Sequence, residues 1–262
     1  MPAAIFLFVV FVVPLGSLLL RSVTDPQLGL GNYVQLLGDI TYRRVLTNTF
    51  TVAAVVTLVT LLLGYPVAWL LVILPSRVAR CFFAIILLSM WTNLIARTYA
   101  WMVLLQKKGV INSALIDLGL IDKPLALIKN LTGVTIGMTY IMLPFVILPL
   151  VTSLRAIEPA LMQAAAISGA RPTQIFFRVM LPLSLPGIGA GGLMVFVMAL
   201  GYYVTPTLLG GTSNMMLAEL ITTQVQSLLN WGLGSAAAFI LLAVTLALYC
   251  VYVRAIGLGR IK

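Results

Sequence analysis

Apolar runs long enough to cross a bilayer recur six times along this chain, with only short polar intervals between them. Inside hydrocarbon, every backbone N–H and C=O must be satisfied within the protein, which an α-helix does and an open strand does not. About 20 residues at roughly 1.5 Å each match a hydrocarbon core of about 30 Å. The runs cover residues 3–20, 46–74, 81–105, 133–151, 188–209 and 235–253. They predict an all-α polytopic membrane protein with six transmembrane helices. The first run has neither a basic start nor a small-residue cleavage site, so it reads as a retained helix rather than a signal peptide.

Helix breakers fall inside these runs. Gly64-Tyr65-Pro66 predicts a bend in the second, Asn93 and Arg97 interrupt the third, and Pro144 and Pro149 lie in the fourth. Such prolines are tolerated where neighbouring helices satisfy the freed carbonyls. The fifth run opens with Gly187, Gly189, Gly191 and Gly192. Gly187 and Gly191 are about one turn apart, a small-residue face that lets another helix approach closely; a flexible helix entry is the alternative.

Charge excludes several function classes. Only 8% of residues are charged, against about 25% in soluble domains. The net charge of +10 is spread over short loops, a pattern suited to anionic lipid headgroups and not to nucleic acid. Histidine is absent, which removes the commonest general base, proton relay and metal ligand. Cys81 and Cys250 show no metal-ligand spacing and read as buried thiols acting as small hydrophobes. No GxxxxGK[ST] phosphate loop is present, so an energy source of that kind must lie on another polypeptide. A transporter driven by an ion gradient ordinarily carries Asp, Glu or His within its spans. The six runs contain none. An intramembrane enzyme would lack an obvious acid–base carrier for the same reason.

The interval between the fourth and fifth runs is basic and punctuated. Pro159 suits a first helical turn, 160–167 are strong helix formers, and Gly169 suits a left-handed stop. A second short helix starts at Pro172, carries Ile175, Phe176, Phe177 and Val179, and is expected to end at Pro182. Two short helices joined at a glycine make an L-shaped knob, and Ala164–Ala166 keep its surface thin. A helix lying in the headgroups, anchored by Phe176 and Phe177, is the alternative.

The order of residues goes further. Gln163-Ala164-Ala165, three residues, Gly169-Ala170, and then an aliphatic position followed by Leu181-Pro182 resembles the EAA loop of ABC importer permeases. In that family the loop is a coupling helix that enters a cleft on the ATP-binding subunit. Gln163 departs from the usual glutamate, which implies a neutral contact in place of a charge-assisted one. The resemblance covers nearly the whole chain. Arg97-Thr98-Tyr99-Ala100-Trp101, Leu143-Pro144-Phe145, Tyr203-Val204-Thr205-Pro206, Leu209-Gly210-Gly211 and Asn230-Trp231 are similar to the spermidine/putrescine branch.

The resemblance implies a non-catalytic permease of the bacterial inner membrane with both termini cytoplasmic; the basic residues divide almost evenly between the two sides and barely decide orientation, which rests mainly on the coupling loop. It implies a first helix and outer loop over 1–45, a permease domain over 46–256 with its coupling loop at 152–187, and a cytoplasmic tail over 257–262. It implies four kinds of partner: a second related permease, two ATP-binding subunits that hold ATP and Mg, an extracytoplasmic solute-binding protein, and membrane lipids. No cofactor is expected in this chain. Polyamines or similar small organic solutes would cross by alternating access; an amino-acid relative, a phosphonate, or an ion-coupled carrier are the other readings.

Candidate pathway residues are Trp91, Asn93, Arg97, Tyr99, Trp101, Tyr202, Tyr203 and Thr205. Arg97 is a charge well inside an apolar run. It reads either as a gate or solute contact, or as a guanidinium reaching outer headgroups or the carbonyls of a broken helix. The aromatics offer faces to a cation or anchor span ends at the interface. Asn112-Ser113 is expected to cap a short surface helix over 114–120.

Overall fold

The computed structural model describes residue 6 and residues 8–259, and the regular secondary structure among them is helical. Helix α1 spans Phe8–Thr24 and α2 Gly31–Gly38. They are followed by α3 (Ile40–Ile73), α4 (Ser76–Trp91), α5 (Leu94–Leu105) and α6 (Val110–Asp117). The chain continues through α7 (Leu131–Arg155), α8 (Pro159–Ile167), α9 (Pro172–Leu183) and α10 (Leu185–Leu200). It closes with α11 (Val204–Leu209), α12 (Leu217–Thr222) and α13 (Trp231–Gly259). The expected tail begins inside α13, and residues 260–262 lie outside the described part, as do 3–5 and 7 of the first run.

Among the described residues, three helices cross a membrane by length and composition as single pieces: α3, α7 and α13 through Arg254. Two further helix pairs, α4 with Leu94–Asp117 and α9 with α10, are long and apolar enough only when taken together, each bent at a short break. The third run is not one straight helix: α4 meets the Leu94–Asp117 stretch at 98°. The cause is local, since Asn93 ends the run and its side chain accepts from the N–H groups of Ile95 and Ala96 at 2.8 and 3.3 Å. That satisfies orphan donors of a helix start that hydrocarbon would leave unpaired. The fifth run also stops early. Helix α10 ends at Leu200, Gly201 to Tyr203 leave the helix, and α11 resumes. Conversely, the second run continues through Gly64-Tyr65-Pro66 as part of the 34-residue α3.

The core is the packing of α3, α7 and α10. In its most apolar stretch α7 is 61% buried, against 11% for α13, so α7 is the central helix and α13 faces outward. Lipid tails are as apolar as leucine, so close packing must drive helix association here in place of the hydrophobic effect. Small residues supply it. A Cβ on Gly64 would stand 2.9 Å from Val146 Cγ1, and one on Gly191 3.3 Å from Val146 Cα. A Cβ on Gly187 would meet Ser153 Cβ. Gly187 and Gly191 are therefore a packing face of α10 against α7. A second cluster, with Leu36, Val45, Leu217, Leu220, Leu233 and Ala236, ties α2, the start of α3, α12 and the start of α13 together.

Cys81 and Cys250 are exposed, not buried. Each sits on a helix face left open by the described residues. Asn112 is not a helix cap. Helix α6 starts at Gly109–Val110, and Asn112 lies inside it, fully buried. Its side chain donates to the Gln106 and Leu125 carbonyls and accepts from Leu125 N–H at 2.8 Å, clamping the 106–125 segment.

Candidate functional site

Two places gather the residues singled out by sequence: the α8–α9 elbow, and the layer where α5 meets α11.

At the elbow, Pro159 and Pro172 each occupy a first helical turn. Gly169 has φ +81°, and an added Cβ there would meet nothing within 4 Å. The Ala170 N–H donates to the Ala165 carbonyl at 3.1 Å and the Gly169 N–H to Ala166 at 3.0 Å. This pair of bonds is the Schellman stop, which needs a left-handed residue at the glycine. Arg171 N–H then donates to Gln174 Oε1 at 2.8 Å, holding the start of α9. The turn direction is thereby locked by backbone bonds. Gln163, Ala164 and Ala166 are exposed, and Ile167 is 88% exposed at the tip.

The elbow is fastened to the bundle through α9. Phe176 stands edge-on to Tyr65 and Trp69 of α3, at 5.8 and 6.4 Å between centroids. Tyr65 Oη and Ser184 Oγ are 3.0 Å apart, and Met180 is buried. Helix α9 runs through Leu181 and Pro182 to Leu183, so Pro182 does not end it. The chain instead bends by 62° at Ser184 into α10. A cavity of about 710 Å³, lined by residues that include Thr152, Glu158, Leu161 and Gly187, separates α8 from α7 and α10. The knob thus hangs from α3 by aromatic contacts, with space behind it.

At the second place, Thr98 and Thr205 are buried with their hydroxyl oxygens 3.3 Å apart, joining α5 to α11. Tyr202 lies beside Thr205 and within electrostatic reach of Arg97. Trp101 of α5 stands edge-on to Tyr140 of α7 at 5.6 Å. Arg97 Nε, Tyr202 Oη, Thr135 Oγ1 and Thr139 Oγ1 are enclosed without hydrogen-bond partners. The fold therefore brings Arg97, Trp101, Tyr202 and Thr205 to one layer. It does not bring in the others. Trp91 is 89% exposed at the α4–α5 break, Tyr99 and Tyr203 face outward, and Asn93 is occupied as a cap. Sequence reasoning missed Thr98, Thr139 and Tyr140; Thr135 and Thr139, four apart in an apolar helix, were the available signal. A second cavity of about 650 Å³ opens between α4, α7 and α10, with Arg80 and Arg155 among its lining.

Over residues 46–256 the sequence matches the family described as binding-protein-dependent transport system inner membrane component. The chain belongs to this family. It is a multi-pass component of a bacterial inner membrane, and members are transport components. Members similar to it include the spermidine/putrescine transport system permease protein PotB of Escherichia coli, 37% identical over 86% of this chain and 82% of the relative. The PotB of Haemophilus influenzae is 33% identical over 97% of this chain and 92% of its own length. Among solved structures, a bacterial ABC transporter involved in the import of the acidic polysaccharide alginate superposes with a TM-score of 0.76. That match covers 97% of this chain and 93% of the other, at 18% identity, and it speaks for the family fold.

Proposed function

We propose that this chain is one of two permease subunits of an ATP-driven importer of polyamines, spermidine and putrescine among them. The observation that carries the coupling role is the α8–α9 elbow. A glycine-locked knob projects Ile167 from a thin alanine surface and is tied by Phe176 to α3, a helix long enough to cross the membrane. The PotB relatives support the choice of solute.

In this reading the chain crosses six times, counting α1 and the two broken crossings, with both termini and residues 158–182 on the cytoplasmic side. Two ATP-binding subunits, holding ATP and Mg, grip the knobs of this chain and of a related permease. A solute-binding protein delivers the polyamine from outside. Nucleotide closes the ATP-binding pair and drags the knobs, which shifts the population of the permease pair from inward- to outward-facing; hydrolysis resets it. The chain itself does no covalent chemistry. The domain division and pathway residues are those of the sequence reading, with Arg97, Trp101, Tyr202 and Thr205 as the layer the solute must pass.

Co-expression with the neighbouring subunits and purification through this chain tests the reading. An ATPase and a second permease are expected in stoichiometric amounts, and proteoliposomes holding them are expected to take up labelled spermidine only with ATP. Uptake driven by an ion gradient without the ATPase would replace this reading with a secondary carrier. Labelling of a cysteine placed at 163 only from the periplasmic face would remove the coupling assignment.

A further inference from the structure

We propose that the cleft between α4, α7 and α10 binds one anionic phospholipid, with its phosphate on Arg80 and Arg155 and an acyl chain in the apolar interior. The proposal needs only that this chain crosses a membrane. It does not depend on the solute, the coupling role or the second permease.

The cleft has a volume of about 650 Å³, within the range of about 300–1,000 Å³ usual for sites that hold a small molecule. Its charges lie at one end. Arg155 is the last residue of α7, and Arg80 lies near the start of α4. That end is the elbow side of the bundle: α7 leads into α8, and Trp69, near the end of α3 and just before α4, touches Phe176 of the elbow. Farther in, the lining is apolar, with Phe83, Phe145, Leu148 and Met194. Phe145 lies ten residues before the end of α7, and Met194 nine residues after the start of α10. At about 1.5 Å per residue the cleft reaches roughly 15 Å inward. That is half of a hydrocarbon core of about 30 Å, the depth of one leaflet.

The lining sorts the candidate occupants. No carboxylate occurs among the described residues that line the cleft, and Thr152 already donates to the Leu148 carbonyl at 3.0 Å. Arg80 Nε donates to the Ser76 carbonyl at 3.2 Å, which leaves the Nη donors of that guanidinium for a phosphate. Two guanidiniums without an acid repel a polyamine and attract an anion. A free phosphate ion would account for the arginines but not for an apolar cleft one leaflet deep. An amphiphile with a negative head accounts for both. Basic pockets between membrane helices hold anionic headgroups in this way.

The test uses the protein purified from membranes with its accompanying subunits, in bilayers of phosphatidylglycerol and phosphatidylcholine. The probe is phosphatidylglycerol carrying a photoreactive diazirine in its acyl chain. Labelled peptides are expected to contain residues 79–83, 145–155 or 194. Unlabelled phosphatidylglycerol is expected to compete, whereas phosphatidylcholine and inorganic phosphate are not. Arg80→Gln combined with Arg155→Gln is expected to lower this labelling about thirtyfold, each arginine near an anionic headgroup being worth about fivefold. Arg77→Gln, a neighbouring arginine outside the lining, is expected to leave it unchanged. Met194→Trp keeps both arginines and fills the deep end, so it is expected to reduce labelling several-fold. Equal labelling in the double variant overturns the proposal, as does equal competition by phosphatidylcholine. Competition by inorganic phosphate would make the site one for a free anion. Label on this chain only outside the cleft would mean that something other than lipid covers it. Should the double variant fail to fold, Met194→Trp decides alone, and unchanged labelling there overturns the proposal.

Discussion

Replacing Gly169 tests the elbow most directly. The position has φ +81° and open space around it, so a side chain there meets no steric clash. The whole effect is carried by the backbone. A β-branched residue held in the left-handed region costs about 1–2 kcal/mol. Escaping to a right-handed conformation gives up the Ala170–Ala165 and Gly169–Ala166 bonds. At about 0.5–1.5 kcal/mol for each bond, that escape costs about 1–3 kcal/mol. The two routes are close in energy, so Gly169→Val divides the loop between geometries and α8 loses its fixed angle to α9. The spans are untouched, because no bundle residue lies near the added atoms. In proteoliposomes the variant is expected to keep its melting temperature within a few degrees while spermidine transported per ATP falls several-fold. Gly169→Asn is the control, since asparagine visits the left-handed region readily, and it is expected to couple nearly normally. A Gly169→Val protein with wild-type transport per ATP would refute the reasoning.

The other predictions concern packing and titration. Gly187→Ala places a Cβ against Ser153 and is expected to destabilise by about 1–3 kcal/mol, as overpacking does; adding Ser153→Gly should restore much of the melting temperature, and no rescue would deny the α7–α10 contact. Asn112→Leu leaves the Gln106 and Leu125 backbone groups unpaired. A loss of about 2–4 kcal/mol is expected, read as a lower thermal midpoint in detergent. Burial raises the Glu219 carboxyl above its ordinary 4.5, opposed by a hydrogen bond with the Met216 backbone. The folded chain then keeps that proton at a pH where the unfolded chain has released it. Stability from this group is full at pH below the unfolded value and falls as pH rises through the window above 4.5. Glu219→Gln is expected to flatten that slope, and melting scans across the acid range check it.

Much of this protein was legible residue by residue. Which segments leave water follows from their apolarity. The elbow follows from Pro159, Gly169 and Pro172, whose backbone constraints are local and act alike in any fold. Gly187 and Gly191 announced their packing face because small residues one turn apart are useful only where another helix comes close. What only the tertiary structure decided is where apolar runs break and which polar groups meet. Asn93 and Arg97 marked an interruption within residues 81–105 but not its angle, because helices buried in lipid or protein are apolar all round and carry no periodic face to show which way the chain turns. The corner exists because Asn93 caps a new helix and Thr98 finds Thr205, 107 residues away. Asn112 and Leu125, or Tyr65 and Ser184, become neighbours in the same way, through packing of separate segments. A residue's own backbone preferences are written in its immediate sequence; its partners are set by packing of the whole chain.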